Sequence, residues 1–191
     1  VTTGIPTYCD GYRMRSRLEA SWGHFFALCG WHWKYEPVDL SGYIPDFLLT
    51  FARRPLLIEV KPEGDLLAMG AHTEKIDESG WDKNALIVGT GPPRPIEGLP
   101  VIGLMRQSDP IICGWDAGVL FRCMACRKVG IYHQSGFWEC PNCGMADGAS
   151  IIGPISARKI YELWAEAQNS AQWNTHTAEP ELGMEQCRLG T

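Results

Sequence analysis

Among its 191 residues the chain has no apolar run of 18, so no membrane-spanning helix is expected. Its first residues, Val1-Thr2-Thr3-Gly4, lack the basic-then-apolar pattern of a secretory signal, and a cytoplasmic setting is the expectation. There is no glycine-rich phosphate loop of the Walker kind, which argues against an ATP-driven activity within this chain. Positive charge is not in excess: 17 Lys and Arg against 22 Asp and Glu give a net charge of −5. That balance is not the footprint of a protein that coats nucleic acid non-specifically, although local cations can still meet phosphates. His24, His32, His72 and His176 show no ligand spacing, and no internal repeat is present beyond two cysteine knuckles. What the chain does have is 45% hydrophobic residues, enough for a packed core. Its length fits one domain, or one domain with a small accessory module.

Residues 16–29 predict a helix, because Leu18, Trp22, Phe25 and Cys29 lay one apolar stripe and Gly30 can cap it. A strand-like segment surrounds Trp31-His32-Trp33-Lys34-Tyr35. Two strands follow at 46–51 and 56–61, joined by Ala52-Arg53-Arg54-Pro55, and Pro62 ends the second. A helix is expected from Asp65 to Ser79, closed by Gly80, and short buried strands at 85–88 and 101–104 flank the Gly/Pro-rich loop 89–95. The order helix, three strands, helix, strand predicts a layered α/β structure. Residues 156–173 carry a second helical pattern through Ile160, Leu163, Trp164 and Ala167, and the polar tail from Asn174 is expected to be mobile.

Glu59-Val60-Lys61 ends the apolar run Leu56-Leu57-Ile58, and an acid and a base two residues apart in a strand project from the same face. Pro45-Asp46 opens the preceding strand. If Arg53-Arg54 form a two-residue turn and Ala52 pairs with Pro55, Asp46 falls opposite Lys61 and Glu59 opposite Leu48. Asp46, Glu59 and Lys61 then share one face, with the two acids diagonal neighbours about 7–8 Å apart at the backbone. An oxygen-ligated ion can bridge that gap, and Mg²⁺ suits it because it keeps several waters and shares phosphate oxygens. A lysine beside such an ion can orient or help deprotonate an attacking water and offset charge in the transition state. The same triplet in isolation also reads as an exposed cross-strand ion pair, and both readings stand at this point.

Through Pro45-Asp46 and Glu59-Val60-Lys61 the chain resembles the PD-(D/E)xK nuclease superfamily. The resemblance covers about residues 14–105 and implies a restriction-endonuclease-like α-β-β-β-α-β core. It implies a further acid on the first helix, at Glu19 within Arg17-Leu18-Glu19-Ala20. It also implies Mg²⁺ or Mn²⁺ held by Glu19, Asp46, Glu59 and the carbonyl of Val60, with Lys61 positioning the water. Ser16-x-x-Glu19 matches a helix capping box as well, which by itself would explain both residues.

Eight cysteines could suggest a disulfide framework, but four of them form two Cys-x-x-Cys pairs, Cys123 with Cys126 and Cys140 with Cys143. Cys9, Cys29, Cys113 and Cys187 are scattered. The paired knuckles look like a zinc ribbon with one closed, structural Zn²⁺; a disulfide or redox pair is the alternative. Arg13, Arg15 and Arg17 before the Glu19 turn, Arg53 and Arg54 on the hairpin, and Arg122, Arg127 and Lys128 by the first knuckle are candidate nucleic-acid contacts.

The domain expectation is a nuclease-like core at 1–112, a four-cysteine zinc ribbon at 113–150, a C-terminal helix at 151–173 packed on the core, and a tail at 174–191. The functional expectation is a metal-dependent nuclease acting on DNA as an endonuclease, without a membrane partner. The alternatives are a non-catalytic nucleic-acid- or protein-binding adaptor that uses the ribbon, or a nuclease subunit active only with a partner.

Overall fold

The computed structural model describes residues 6–108, 114–136, 138–146, 152–153 and 155–173. The expected tail from Asn174, together with Cys113, Cys187, His176 and residues 147–150 of the cysteine-rich region, lies outside the described residues. The chain is a mixed α/β protein built on one large mixed sheet.

It begins with a hairpin, β1 (Thr7–Cys9) and β2 (Tyr12–Met14), that the sequence reading did not anticipate. Its signal was there: Asp10-Gly11, both at positive φ, is the Asp-Gly pair that fits a two-residue hairpin turn. Helix α1 (Arg17–Leu28) follows, with Ser16 as N-cap accepting the Glu19 N–H. The sheet then takes β3 (Trp33–Tyr35), β4 (Phe47–Thr50) and β5 (Pro55–Val60) in antiparallel order. The segment expected as one helix from Asp65 to Ser79 is split into α2 (Leu66–Met69), a 3₁₀ turn (Gly70–His72) and α3 (Thr73–Glu78). Gly70 weakens the middle, and the Thr73 hydroxyl bonds back to the Gly70 carbonyl, which re-caps the broken turn. The crossover lands β6 (Asn84–Val88) parallel to β5. Then β7 (Val101–Arg106), β8 (Trp115–Cys123), β9 (Val129–His133) and β10 (Ile152–Gly153) extend the sheet antiparallel, and α4 (Ala157–Trp173) closes the described chain.

The two faces of the sheet carry different layers. On one, Trp22, Phe25 and Phe26 of α1 and Ile160, Trp164 and Ala167 of α4 bury Phe47, Leu49, Leu56 and Ile58. Trp22 and Trp164 lie 4.5 Å apart between ring centroids, and Trp22 Nε1 donates to the Gly89 carbonyl at 2.7 Å. On the other face, Met69 and Ile76 cover Leu57, Ala85 and Ile87. β8 begins just past the position 112/113 taken as a domain boundary: its first half pairs with β7, and its last residue is Cys123. The strand that ends at Cys123 is thus continuous with the central sheet.

The hairpin register differs from the expected one by two residues. Thr50 pairs with Pro55 and Phe47 with Ile58, leaving four residues, Phe51 to Arg54, in the loop. The loop opens because Phe51 turns its ring onto Trp31, 5.2 Å away, and Arg53 N–H bonds to the Pro141 carbonyl. A shift of two keeps every side chain on its face, but it moves Asp46 from opposite Lys61 to opposite Glu59.

A carboxylate cluster and a cysteine cluster at the two ends of one hairpin

At the Asp46 end of the hairpin, three acids are buried: Asp46 is 3% exposed, Glu59 5% and Glu19 8%. Asp46 Oδ2 accepts from the Val60 N–H at 2.7 Å, which fixes the carboxylate across the ladder from Glu59. Its Oδ1 meets Arg15 Nη2 at 2.5 Å. Glu59 receives Lys61 Nζ at 2.6 Å on Oε1 and the Tyr43 hydroxyl at 2.8 Å on Oε2. Glu19 receives the Tyr35 hydroxyl at 2.5 Å, the Ser16 hydroxyl at 2.8 Å and the Arg15 N–H at 3.2 Å. Ser16 therefore caps α1 through the Glu19 N–H, while the Glu19 carboxylate takes the N–H of Arg15, one residue before the cap. Burial, and then the carboxylate each phenol meets, push Tyr35 and Tyr43 upward, so both stay donors.

Electrostatics at Asp46 are unbalanced. Burial first, then the Glu59 and Glu19 charges, push its carboxyl up to about 7, against the Val60 N–H and the Arg15 guanidinium. Part of that rise comes from two neighbouring carboxylates, an oxygen set of the kind a hard divalent ion takes. The donor set, all hard oxygens, fits such an ion. The oxygens are not yet gathered into one shell. Among the described residues the sole set of three or more His, Cys, Asp or Glu with ligand atoms all within 4.8 Å is the cysteine set. The reason lies in the faces: Glu59 points to the α3 side with Tyr43, whereas Glu19 arrives on α1 from the opposite layer.

Arg15, expected from sequence as a nucleic-acid contact, is joined to the acids, with Glu36 at 3.1 Å and Glu19 at 3.9 Å besides Asp46, while its side chain stays 60% exposed. Arg13 and Arg17 are exposed nearby in the chain. Tyr35 and Tyr43 were missed by sequence reasoning. Tyr35 could have been found from strand pairing, since it lies opposite Phe47, next to Asp46. Tyr43 is delivered by a tight turn at Ser41-Gly42, both at positive φ, bridging Leu40 and Tyr43.

The other end of the hairpin meets the cysteines. Arg54 pairs with Glu139 at 2.5 Å, and the Arg53 guanidinium covers Gly144, where a Cβ would come within 2.2 Å of Nη1. Gly144 has the positive φ that its place after a knuckle suggests. Both arginines lie about 20 Å along the hairpin from Val60, at about 3.3 Å per residue, and brace the knuckle. Cys123, Cys126, Cys140 and Cys143 bring their sulfurs within 4.8 Å of one another and can hold a metal ion such as zinc. The Sγ pairs Cys123–Cys143 and Cys126–Cys140 are 3.8 and 3.7 Å apart, too long for a disulfide bond. A zinc–sulfur bond of about 2.3 Å in a tetrahedron gives edges of about 3.8 Å, which is the spacing seen. Burial raises the Cys123 thiol, but the N–H groups of Cys126 and Ala125 bring it down to about 7. Burial pushes Cys140 up to about 12, against the Cys143 and Asn142 N–H groups. His133 is buried and does not join the set. Cys9 and Cys29 are pushed up to about 12, by burial above all, and remain protonated thiols. Arg122 braces the knuckle turn through the Arg127 carbonyl at 2.9 Å, while Arg127 and Lys128 are exposed. Among the described residues no helix is long and apolar enough to cross a membrane.

Comparison with known proteins adds nothing to these geometries: no family model, no curated protein and no solved structure matches the chain.

Proposed function

We propose that the chain is a Mg²⁺- or Mn²⁺-dependent phosphodiesterase of the PD-(D/E)xK type, a restriction-endonuclease-like core that cleaves DNA internally and carries one structural zinc ion. The observation that carries this reading is the juxtaposition of Asp46 and Glu59 across the β4–β5 ladder, with Lys61 bonded to Glu59. The element order α1, β3, β4, β5, α2 with α3, then β6 supports it.

Asp46, Glu59, the Val60 carbonyl and Glu19 would hold the catalytic ion. When bound, it supplies Lewis-acid polarisation of a phosphoryl oxygen and lowers the pKa of water. Lys61, 24% exposed at its side chain, stands at the border of the buried acids and solvent, where an attacking water must come. There its ammonium can orient that water and offset charge on the displaced oxygen. Tyr43 holds Glu59 in place by the opposite oxygen, so Lys61 and Tyr43 together fix the carboxylate's plane. The cysteine set, being closed by four sulfurs, fits a zinc ion with no position left for substrate.

One observation favours a second reading. Each acid already has protein partners, as in a static ion-pair network, and the exposed Arg127 and Lys128 beside the knuckle suit a non-catalytic adaptor for nucleic acid or protein. A nuclease that works only when a partner delivers its substrate has the same geometry. The test is incubation of the protein with linear, circular, single-stranded and branched DNA in Mg²⁺ or Mn²⁺ against EDTA, alongside Glu59→Ala and Lys61→Ala. Metal-dependent cleavage lost in both variants is the expected result. Cleavage that persists in both overturns the site, and no cleavage of any substrate moves the reading to the adaptor or the partner-dependent subunit.

A further inference from the structure

On the α3 side of β5, next to Glu59, lies a cleft of about 170 Å³ whose walls include Tyr43, Lys61, His72, Glu74 and Lys75. Its basic side chains differ in status. Lys61 is bonded to Glu59, and His72 Nε2 to Glu63 at 3.0 Å. Lys75 is different: its ammonium stands 4.8 Å from the centre of the Tyr43 ring, and among the described residues no carboxylate lies within ion-pair distance of it. The ring beneath it cannot swing away, because Tyr43 is buried and its hydroxyl is committed to Glu59. A cation over an aromatic face keeps its other donors free for an anion. Of the two acids that line the cleft, Glu59 is answered by Lys61 and Tyr43, and Glu74 is exposed to solvent.

We propose that this cleft is a phosphate-binding subsite in which Lys75, held over Tyr43, grips a phosphate group of the substrate strand beside the one at the carboxylates. The proposal deepens the nuclease reading and rests on it for the identity of the strand. Phosphate binding itself can be measured without any turnover. At about 170 Å³ the cleft has room for a phosphate group. The phosphate is either the monoester at a strand end or an internal diester.

The two sources are separated by two small probes, thymidine 5′-monophosphate and the dinucleotide TpT, which has a diester and no terminal phosphate. Each is titrated by NMR into the full zinc-loaded chain with Mg²⁺ present, in wild type, Lys75→Ala and Lys83→Ala. Lys83 is an exposed lysine over Trp81, outside the lining of the cleft, and controls for the loss of one charge. Lys75→Ala is expected to weaken the preferred probe about tenfold, the scale of one charge-assisted hydrogen bond, and Lys83→Ala to leave it unchanged. Preference for the monophosphate assigns the cleft to a strand end, and preference for TpT assigns it to the backbone; either supports the subsite. Affinity for both probes unchanged in Lys75→Ala, or no binding to wild type, overturns it. Probe binding that depends on Lys75 in a protein without DNA cleavage would keep the subsite and move the chain's function to the adaptor or the partner-dependent subunit.

Discussion

At one end of the β4–β5 hairpin, Asp46 and Glu59 are met by cations of the protein itself, Arg15 and Lys61. At the other, four cysteine sulfurs meet one another and backbone N–H groups. The contrast separates two uses of a metal. On the proposed reading, a cluster already balanced in part by side chains would stay organised without its ion, so that ion could exchange with each round of substrate. Thiols gathered at 3.7–3.8 Å, Cys123 brought down to about 7 but Cys140 pushed up to about 12, would all ionise only with an ion between them. The first arrangement suits catalysis and the second suits a staple.

The sharpest way to separate the ends is to remove the staple. Structural zinc in small domains contributes roughly 10–16 kcal/mol of apparent binding energy, and here its loss would also free Arg53 and Arg54 from the knuckle. Cys140→Ser is expected to lose zinc, measured per chain by metal analysis, with the largest fall in melting temperature of any variant here. Full zinc content in that variant would contradict the four-sulfur site. Next in size, Glu59→Ala and Lys61→Ala should each lower hydrolysis by at least about 100-fold. Their zinc content should stay at the wild-type value, which keeps the two ends distinct. A parallel loss of zinc in these variants would show that the ends are one unit.

A smaller effect comes from Asp46 alone. Its folded carboxyl titrates at about 7 instead of the usual 3.8, so the folded chain retains a proton that the unfolded chain releases between those values. The stability from this group is complete below about pH 4 and is lost as pH rises to 7, by at most roughly 4 kcal/mol. Denaturant unfolding in Mg²⁺-free buffer should therefore show Asp46→Asn gaining on wild type from about pH 5.5 to about pH 8. A constant gap would place the burden elsewhere. Smallest of all, Arg54→Ala removes a partly exposed ion pair with Glu139 and should cost about 1 kcal/mol or less in the same assay.

The sequence carried the elements whose cause is local. The stripe on α1, the apolar runs of β4 to β7 and the cysteine spacing each depend on neighbouring residues. Face parity also survived, because a two-residue register change leaves Asp46, Glu59 and Lys61 on one side. What failed was set by distant parts of the chain. The four-residue loop depends on Trp31 and Pro141, and neither is visible from Arg53-Arg54. The Arg15 ion pair with Asp46 was also out of sight, because nothing near Arg15 in sequence reveals an acid 31 residues away. Tyr43 reaches Glu59 across a turn whose shape the sequence only hints at. The Asp10-Gly11 hairpin, by contrast, has a purely local cause in its two positive-φ turn residues.

The central claim is that the Asp46 end holds an exchangeable divalent ion while the cysteine end keeps its own. Calorimetric titration of Mn²⁺ into the zinc-loaded chain, above the Asp46 titration at about 7, tests it most directly, with wild type beside Asp46→Ala and Glu59→Ala. One Mn²⁺ site that disappears in both variants, with zinc still bound, is the expected result. No Mn²⁺ site in wild type, or a site that both variants retain, would contradict it.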